Sequence, residues 1–166
     1  DSSNSNHSVA FVGTAQLSTT QSKFGGSSLL LDGNSDYLTV GGASDFNLGS
    51  SDFTIEAFVR FNSVSGVQVI CGKFDSGANR RSFLLYMNTG GVLKFLASSN
   101  GSAYVINIDS GSTTFSVDTW YHVAATRSGS TFRIFIDGTQ VNSATSSSSL
   151  YNNTNDKATV GIHWSS

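Results

Sequence analysis

Proline is missing from all 166 residues, and cysteine occurs once, at Cys71. Chain reversals must therefore be made by glycine, asparagine, aspartate and serine, and no disulfide can close within the chain. Cys71 lies in the apolar run VQVICGKF, where a thiol acts as a small buried hydrophobe. Charge is sparse: Asp, Glu, Lys and Arg make up 12% of the residues and the formal net charge is −2. Such a balance offers no electrostatic attraction for a phosphate backbone or an anionic bilayer, so nucleic acid is not an expected partner. Membrane insertion is not expected either, because no apolar run approaches the ~20 residues of a spanning helix. The chain opens on the polar stretch DSSNSNHS, with neither an initiator Met nor a signal-peptide pattern. That opening suggests a piece of a longer polypeptide or a processed product.

What is present is a globular composition, 38% hydrophobic and 11% aromatic, of a size that buries one ordinary core. A single domain is expected over 1–166, with 1–10 as a candidate N-terminal arm. Glycine is plentiful at 17 residues, and pairs such as Gly25-Gly26, Gly33-Asn34, Gly41-Gly42, Gly90-Gly91 and Asn100-Gly101 punctuate the apolar runs. Between them lie candidate strands at 8–13, 28–32, 36–40, 52–61, 67–74, 82–88, 92–98, 103–109, 119–127, 131–137, 139–145 and 157–163. No segment sustains a 3.6-residue apolar period, and many short strands between turn residues indicate an all-β sandwich or jelly roll.

Alternation assigns faces to the two clearest segments, DFTIEAFVRF (Asp52–Phe61) and TWYHVAATRSGSTFRIFIDGT (Thr119–Thr139). Phe53, Ile55, Ala57, Val59 and Phe61 share the core side of the first, leaving Thr54, Glu56, Phe58 and Arg60 on the other. Phe58 between two charged residues marks that second side as partly covered or as a contact surface. In the second segment Tyr121, Val123 and Ala125 oppose Trp120, His122 and Ala124, while Phe132, Ile134 and Ile136 oppose Arg133, Phe135 and Asp137. His122 is expected to be a structural residue hydrogen-bonded between sheets. Asp137-Gly138 is a tight hairpin signal.

These two segments, together with FGGSSLLLDGNSDYLTV (Phe24–Val40), resemble the laminin-G-like, concanavalin A-like jelly-roll domains. The resemblance runs from about Phe24 onward and implies a β-sandwich of two antiparallel sheets. It embraces carbohydrate-binding modules, adhesion domains and modules of secreted enzymes, and the Ser- and Gly-rich style is similar to that of bacteriophage virion proteins. A closing Gly-x-Ile-Asp-Glu-like block usual in the family is absent before the chain stops at HWSS (His163–Ser166). More polypeptide, or a partner covering the sheet edge, is therefore expected.

Glycosidases of this fold resemble one another in carrying Glu-x-Asp-x-x-Glu on one strand, which sets acid and nucleophile about 5 Å apart. Glu56 is the chain's one glutamate, and its strand neighbours on the same face are Thr54 and Phe58. No Gly-x-Ser-x-Gly elbow is present, and His7, His122 and His163 lack the spacing of a zinc helix. The chain is expected not to be an enzyme.

Calcium is the one cofactor left open. Asp32, Asn34 and Asp36 place three side-chain oxygens in one loop, and the resemblance implies calcium at such a sheet rim. Capping of a tight turn explains the same residues, and the spacing is not that of an EF-hand, which would need an acid where Ala43 stands. For ligand contact, Arg80 and Arg81 form the one adjacent basic pair, suited to carboxylated sugars or acidic side chains. Near the C-terminus Tyr151, Asn152, Asn153 and Trp164 combine rings with amides, a pattern that suits a sugar ring stacked on its C–H face. Trp164 also reads as a core residue of the last strand. The sequons at Asn6, Asn100 and Asn152 are accidents of composition unless the chain is secreted by a eukaryote.

Two functions follow as expectations. The first is a non-catalytic structural, decorating or fibre component of a virus (phage) particle, contacting other subunits or a cell-surface glycan, with a homo-oligomer among the alternatives. The second is a carbohydrate-binding module of a secreted or cell-surface bacterial protein. Either places the chain on a virion surface or outside the cell.

Overall fold

The computed structural model describes residues 4–162. The chain begins with strands β1 (Val9–Val12), β2 (Gln16–Ser18), β3 (Ser28–Leu30) and β4 (Tyr37–Val40), then a 3-10 turn at Ala43–Phe46. The middle holds β5 (Phe53–Arg60), β6 (Gln68–Lys73), β7 (Arg81–Met87), β8 (Val92–Gly101) and β9 (Tyr104–Thr114). It closes with β10 (Trp120–Ser128), β11 (Thr131–Ile136), β12 (Thr139–Thr145) and β13 (Ala158–Val160). Each segment expected from alternation contains a strand, so the all-β, jelly-roll expectation holds. The last expected segment is shorter among the described residues, and its position 163 lies outside them. Among the described residues, no helix is long and apolar enough to cross a membrane.

Two antiparallel sheets face each other. One has seven strands in the order β1-β4-β13-β6-β7-β8-β9, the other four in the order β12-β11-β10-β5, and β2 pairs with β3 alone. Between the two larger sheets lies the layer that the alternation assigned. Phe61, Val123, Ala125, Phe132, Ile134 and Ile136 are buried, packed with Leu85, Met87, Leu93 and Phe95 from the opposite sheet. Phe53, Ile55, Ala57, Val59 and Tyr121 complete it as half-buried neighbours. Phe132 has no exposure and meets Phe53 edge-on at 6.1 Å. Truncating such a ring to alanine costs about 3–5 kcal/mol.

The β11–β12 hairpin closes through Asp137 and Gly138, both at positive φ (48° and 77°), the backbone that a two-residue twisted turn demands. Asp137 ties this turn to the neighbouring strand: its Oδ1 accepts the His122 amide at 2.8 Å, and its own amide donates to the His122 carbonyl at 2.8 Å. Two features were not read from the alternation. One is β2, three residues of mixed polarity. The other is the length of β8 and β9, whose polar tails stay in the ladder through the Arg81–Gly101 and Val92–Thr114 pairings. From His7 onward the candidate arm is held by its own chain. Val9–Val12 pair with Tyr37–Val40, the Gly41 amide donates to the Ser8 carbonyl at 2.8 Å, and His7 Nε2 meets Asp45 Oδ2 at 2.9 Å.

Candidate functional site

At one end of the sandwich the β6–β7, β8–β9 and β12–β13 connections converge. Arg80 leaves the first of these and is held on both sides. Its Nη2 donates to Asp75 Oδ2 at 2.8 Å, and its Nε donates to Asp156 Oδ2 at 3.0 Å. The bond to Asp156 raises the guanidinium's affinity for its proton above the ordinary value. Asn153, with no exposure, joins the two loops. Its Nδ2 donates to the Arg80 carbonyl at 2.7 Å and to Asp156 Oδ2 at 2.6 Å, while its Oδ1 accepts the Asn155 and Asp156 amides, each at 3.1 Å. Nearby, Lys73 is fully buried. Its ammonium donates to the Ala43 carbonyl and, at 2.7 Å, to Asn47 Oδ1. Burial lowers its pKa, and the Asp156 charge opposes that shift. These groups build the rim, and their bonds are spent within the protein.

Arg81 does something different. Its guanidinium donates to the carbonyls of Ser102 and, at 3.1 Å, Ser76, which lays it 5.8 Å from the centre of the Tyr104 ring. Tyr104 is 44% exposed and stacks almost parallel on Phe74, at 6.3 Å and 14°. Gly101 lets these loops close. A Cβ there would lie 2.1 Å from the Asn79 carbonyl oxygen and 3.2 Å from Tyr151 Cε1, at φ +85°. Tyr151 is half-buried and its amide donates to the Ser98 carbonyl at 2.8 Å. Asn152 is exposed. The structure brings Arg80, Arg81 and Tyr151, which the sequence offered as two separate candidates, to one rim, and commits Arg80 to internal ion pairs. Trp164 lies outside the described residues.

From this rim a polar-aromatic surface continues over the outward face of the seven-stranded sheet. Phe74, Leu84 and Leu96 form a second apolar cluster there, joined by Val69 and Tyr86. Leu84 can lie flat because Gly72 stands opposite: a Cβ at Gly72 would sit 2.7 Å from Leu84 Cδ1. Above this floor, register places Tyr86, Lys94 and Asp109 in one row across β7, β8 and β9, and Asn107 beside Leu96 in the next. Lys94 Nζ and Asp109 Oδ2 are 4.0 Å apart. Burial, then the neighbouring Tyr104 and Asp109, raise the Tyr86 pKa, so its hydroxyl stays a donor at neutral pH. The row and the Phe74–Tyr104 pair lie about four strand residues apart, roughly 13 Å. The sequence did carry a signal for this face. Tyr86, Lys94, Asn107 and Asp109 are the polar members of the alternation in strands whose other members are Leu, Phe and Ile. A depression of about 450 Å³ bounded by Ser130, Thr145, Ser146 and Ser147 lies elsewhere and offers neither ring nor charge.

The Asp32–Asp36 loop is built as an anion's cradle. Asp36 is 7% exposed and accepts the Thr14 amide at 2.5 Å, the Thr14 hydroxyl at 3.1 Å and the Asp32 amide at 3.1 Å. Burial pushes its pKa up, but these donors outweigh it and hold the carboxyl below its ordinary value. Asp32 Oδ1 accepts the Asn34 amide at 2.7 Å. These N–H and O–H donors occupy Asp36 as the capping of a tight turn requires. Among the described residues no three His, Cys, Asp or Glu side chains gather as metal ligands. His122 is also placed differently from expectation. It stands on the outward face of the four-stranded sheet, with Nε2 3.1 Å from Glu56 Oε2, because Val123 and Ala125 take the core positions.

Two facing antiparallel sheets, with ring-bearing polar surface on an outward face, define a concanavalin A-like jelly-roll sandwich. The chain belongs to the concanavalin A-like lectin/glucanases superfamily, whose laminin-G model matches residues 32–166. No curated protein matches the sequence. Among solved structures, the receptor-binding domain of botulinum neurotoxin mosaic serotype C/D is similar over 98% of this chain and 40% of its own length, at 16% identity and TM-score 0.71. The carbohydrate-binding module CBM66 from Bacillus subtilis is similar over 95% of this chain and 93% of its own (18% identity, TM-score 0.50). The CBM40 of the Ruminococcus gnavus IT-sialidase is similar over 68% and 65% (13% identity, TM-score 0.54). The chain spans about two fifths of the toxin chains it matches.

Proposed function

We propose that this chain is a non-catalytic glycan-binding module whose contact surface is the outward face of the seven-stranded sheet, working outside the cell. The observation that carries this reading is the combination of Tyr104, flat on Phe74 and exposed, with the Tyr86–Lys94–Asp109 row one short span away. A pyranose needs an apolar plane for its C–H face and mixed donors and acceptors for its hydroxyls. Because the row lies roughly 13 Å from Tyr104, the ligand is an oligosaccharide of at least two rings, and Tyr104 supplies the plane for one of them. The Tyr86 hydroxyl, the Lys94 ammonium, the Asn107 amide and the Asp109 carboxylate supply the polar groups. The similar folds of two carbohydrate-binding modules support this reading.

Catalysis is not part of the proposal. On this face Asp109 is the carboxylate of the row, whereas glycoside cleavage calls on a facing pair. Asp75 and Asp156 at the rim are bound to Arg80. The test is a glycan microarray followed by incubation with each bound oligosaccharide. Retention on a defined subset of glycans with no release of reducing ends is expected. Binding to none, or turnover of a bound glycan, would overturn the proposal.

A second reading, a structural or decorating part of a virus (phage) particle, has its own observation. β1 ends the seven-stranded sheet, and Val9 and Phe11 on it are 38% and 48% exposed. A short apolar edge strand is a surface on which another subunit, or a second copy of this chain, can add a strand. Light scattering of the purified chain tests that reading: a concentration-dependent oligomer broken by Phe11→Lys favours it, and a monomer at all concentrations counts against it.

A further inference from the structure

The outward face of the four-stranded sheet carries chemistry that the proposed glycan face does not use. Phe58 occupies a position where alternation calls for a polar residue, between Glu56 and Arg60, and it is 42% exposed. Phe24, 66% exposed, reaches it from the β2–β3 connection and stands edge-on, at 5.1 Å and 84°. The two rings form an open right-angled corner. Phe58 also meets the His122 ring at 5.0 Å, and His122 fixes Glu56 by the 3.1 Å contact to its Oε2. The Glu56 side chain remains 61% exposed, and a carboxylate has about four acceptor sites, so acceptor capacity remains for a ligand. The Lys23 ammonium lies over both rings, 5.9 Å from the Phe24 centre and 5.7 Å from that of Phe58, and supplies a donor beside them. Arg60 is committed to Asp118 at 2.7 Å and Asn62 at 3.0 Å.

We propose that this corner is a second saccharide site, for a single neutral pyranose, which makes the module bivalent across its two opposite sheet faces. The Phe58 plane takes the C–H face of the ring, Glu56 accepts from hydroxyls and Lys23 donates to them. The Glu56 carboxylate disfavours an acidic sugar in the same place. A protein partner needs about 800 Å² of matched surface on each side, which two phenylalanine rings do not supply. Two weak sites facing opposite ways bridge neighbouring glycans and gain avidity without any new contact.

The test is per-residue and keeps the two faces apart. Amide chemical shifts of the isotope-labelled chain are followed while methyl β-galactopyranoside, methyl α-glucopyranoside or the methyl glycoside of N-acetylneuraminic acid is added to about 20 mM, well above the millimolar Kd of a weak site. At least one neutral glycoside is expected to move the amides of Glu56, Phe58, His122 and Phe24, with the acidic one moving them least. Phe58→Ala, at an exposed position, should keep the folded spectrum and abolish those shifts. Glu56→Gln should weaken binding about tenfold, the loss of one charge-assisted hydrogen bond. Shifts confined to Tyr86 and Tyr104 overturn this inference while leaving the first face standing. Shifts confined to Phe58 and its neighbours do the reverse. Equal shifts at Phe58's neighbours in the wild type and in Phe58→Ala also overturn it.

Discussion

Asn153→Ala is the substitution that most sharply probes how the rim is held. The side chain has no exposure, and its amide joins the Arg80 carbonyl and Asp156 carboxylate on one side to the Asn155 and Asp156 amides on the other. Truncation takes the bond from the Asp156 amide and leaves the Arg80 carbonyl with the long 3.4 Å bond from the Asp75 amide, while the exposed Asn155 can turn to water. At about 1–3 kcal/mol for each buried group left unsatisfied, and with a water recovering part of it, the loss is about 3 kcal/mol. For a domain of this size each kcal/mol moves the Tm by about 2–4 °C, so the melt should fall by roughly 6–12 °C. Scanning calorimetry reads that directly, and urea unfolding should show a lower midpoint at an unchanged slope. Asn153→Asp should be no better, because it sets a second carboxylate against Asp156. A melting point within about 2 °C of wild type would refute the reasoning and mean that the Arg80 ion pairs alone hold the loops together.

Asp36, held below its ordinary pKa, contributes stability that is present above the unfolded value of 3.8 and is lost as pH falls through its lower folded value. Asp36→Asn should therefore flatten the acid limb of a stability–pH curve below pH 3.8; an acid limb identical to wild type would contradict the assignment. Millimolar calcium, enough for a weak extracellular site, should leave the wild-type melt unmoved, and a rise abolished by Asp36→Asn would restore the metal reading of that loop. Burial pushes the Cys71 thiol up to about 12, so although the residue is only half-buried its alkylation at pH 8 should be much slower than that of a free thiol; labelling of the native protein as fast as a free thiol would contradict this.

The sandwich was legible because its core strands alternate strongly. Phe53 to Phe61 and Tyr121 to Ile136 fall on the faces that period two assigns, and Asp137-Gly138 closes the hairpin it advertises. Its far faces were harder to read. Tyr86, Lys94 and Asp109 are distant in sequence and meet only through the β7–β8–β9 register, which no local pattern encodes. The bulges at Ala97/Ser98 and Val92/Lys94 shift that register. Arg80 and Arg81 looked equivalent as a basic pair. Arg80 still lies in the β6–β7 connection while Arg81 opens β7, so Arg80 finds Asp75 and Asp156 while Arg81 finds Tyr104. His122 was misplaced for a related reason. A lone histidine among apolar residues suggests burial, yet its parity with Trp120 and Ala124 put it on the outward face beside Glu56.

The central claim is that Tyr104 and its row bind a glycan, and titration calorimetry of wild type and Tyr104→Ala against the best glycan from the microarray tests it most directly. Losing the stacking plane removes about 0.5–1.5 kcal/mol or more, so Kd should rise at least about twofold while the melt stays near wild type, since the ring is 44% exposed. A Tyr104→Ala chain that stays folded and binds the same glycan with unchanged Kd would contradict the account.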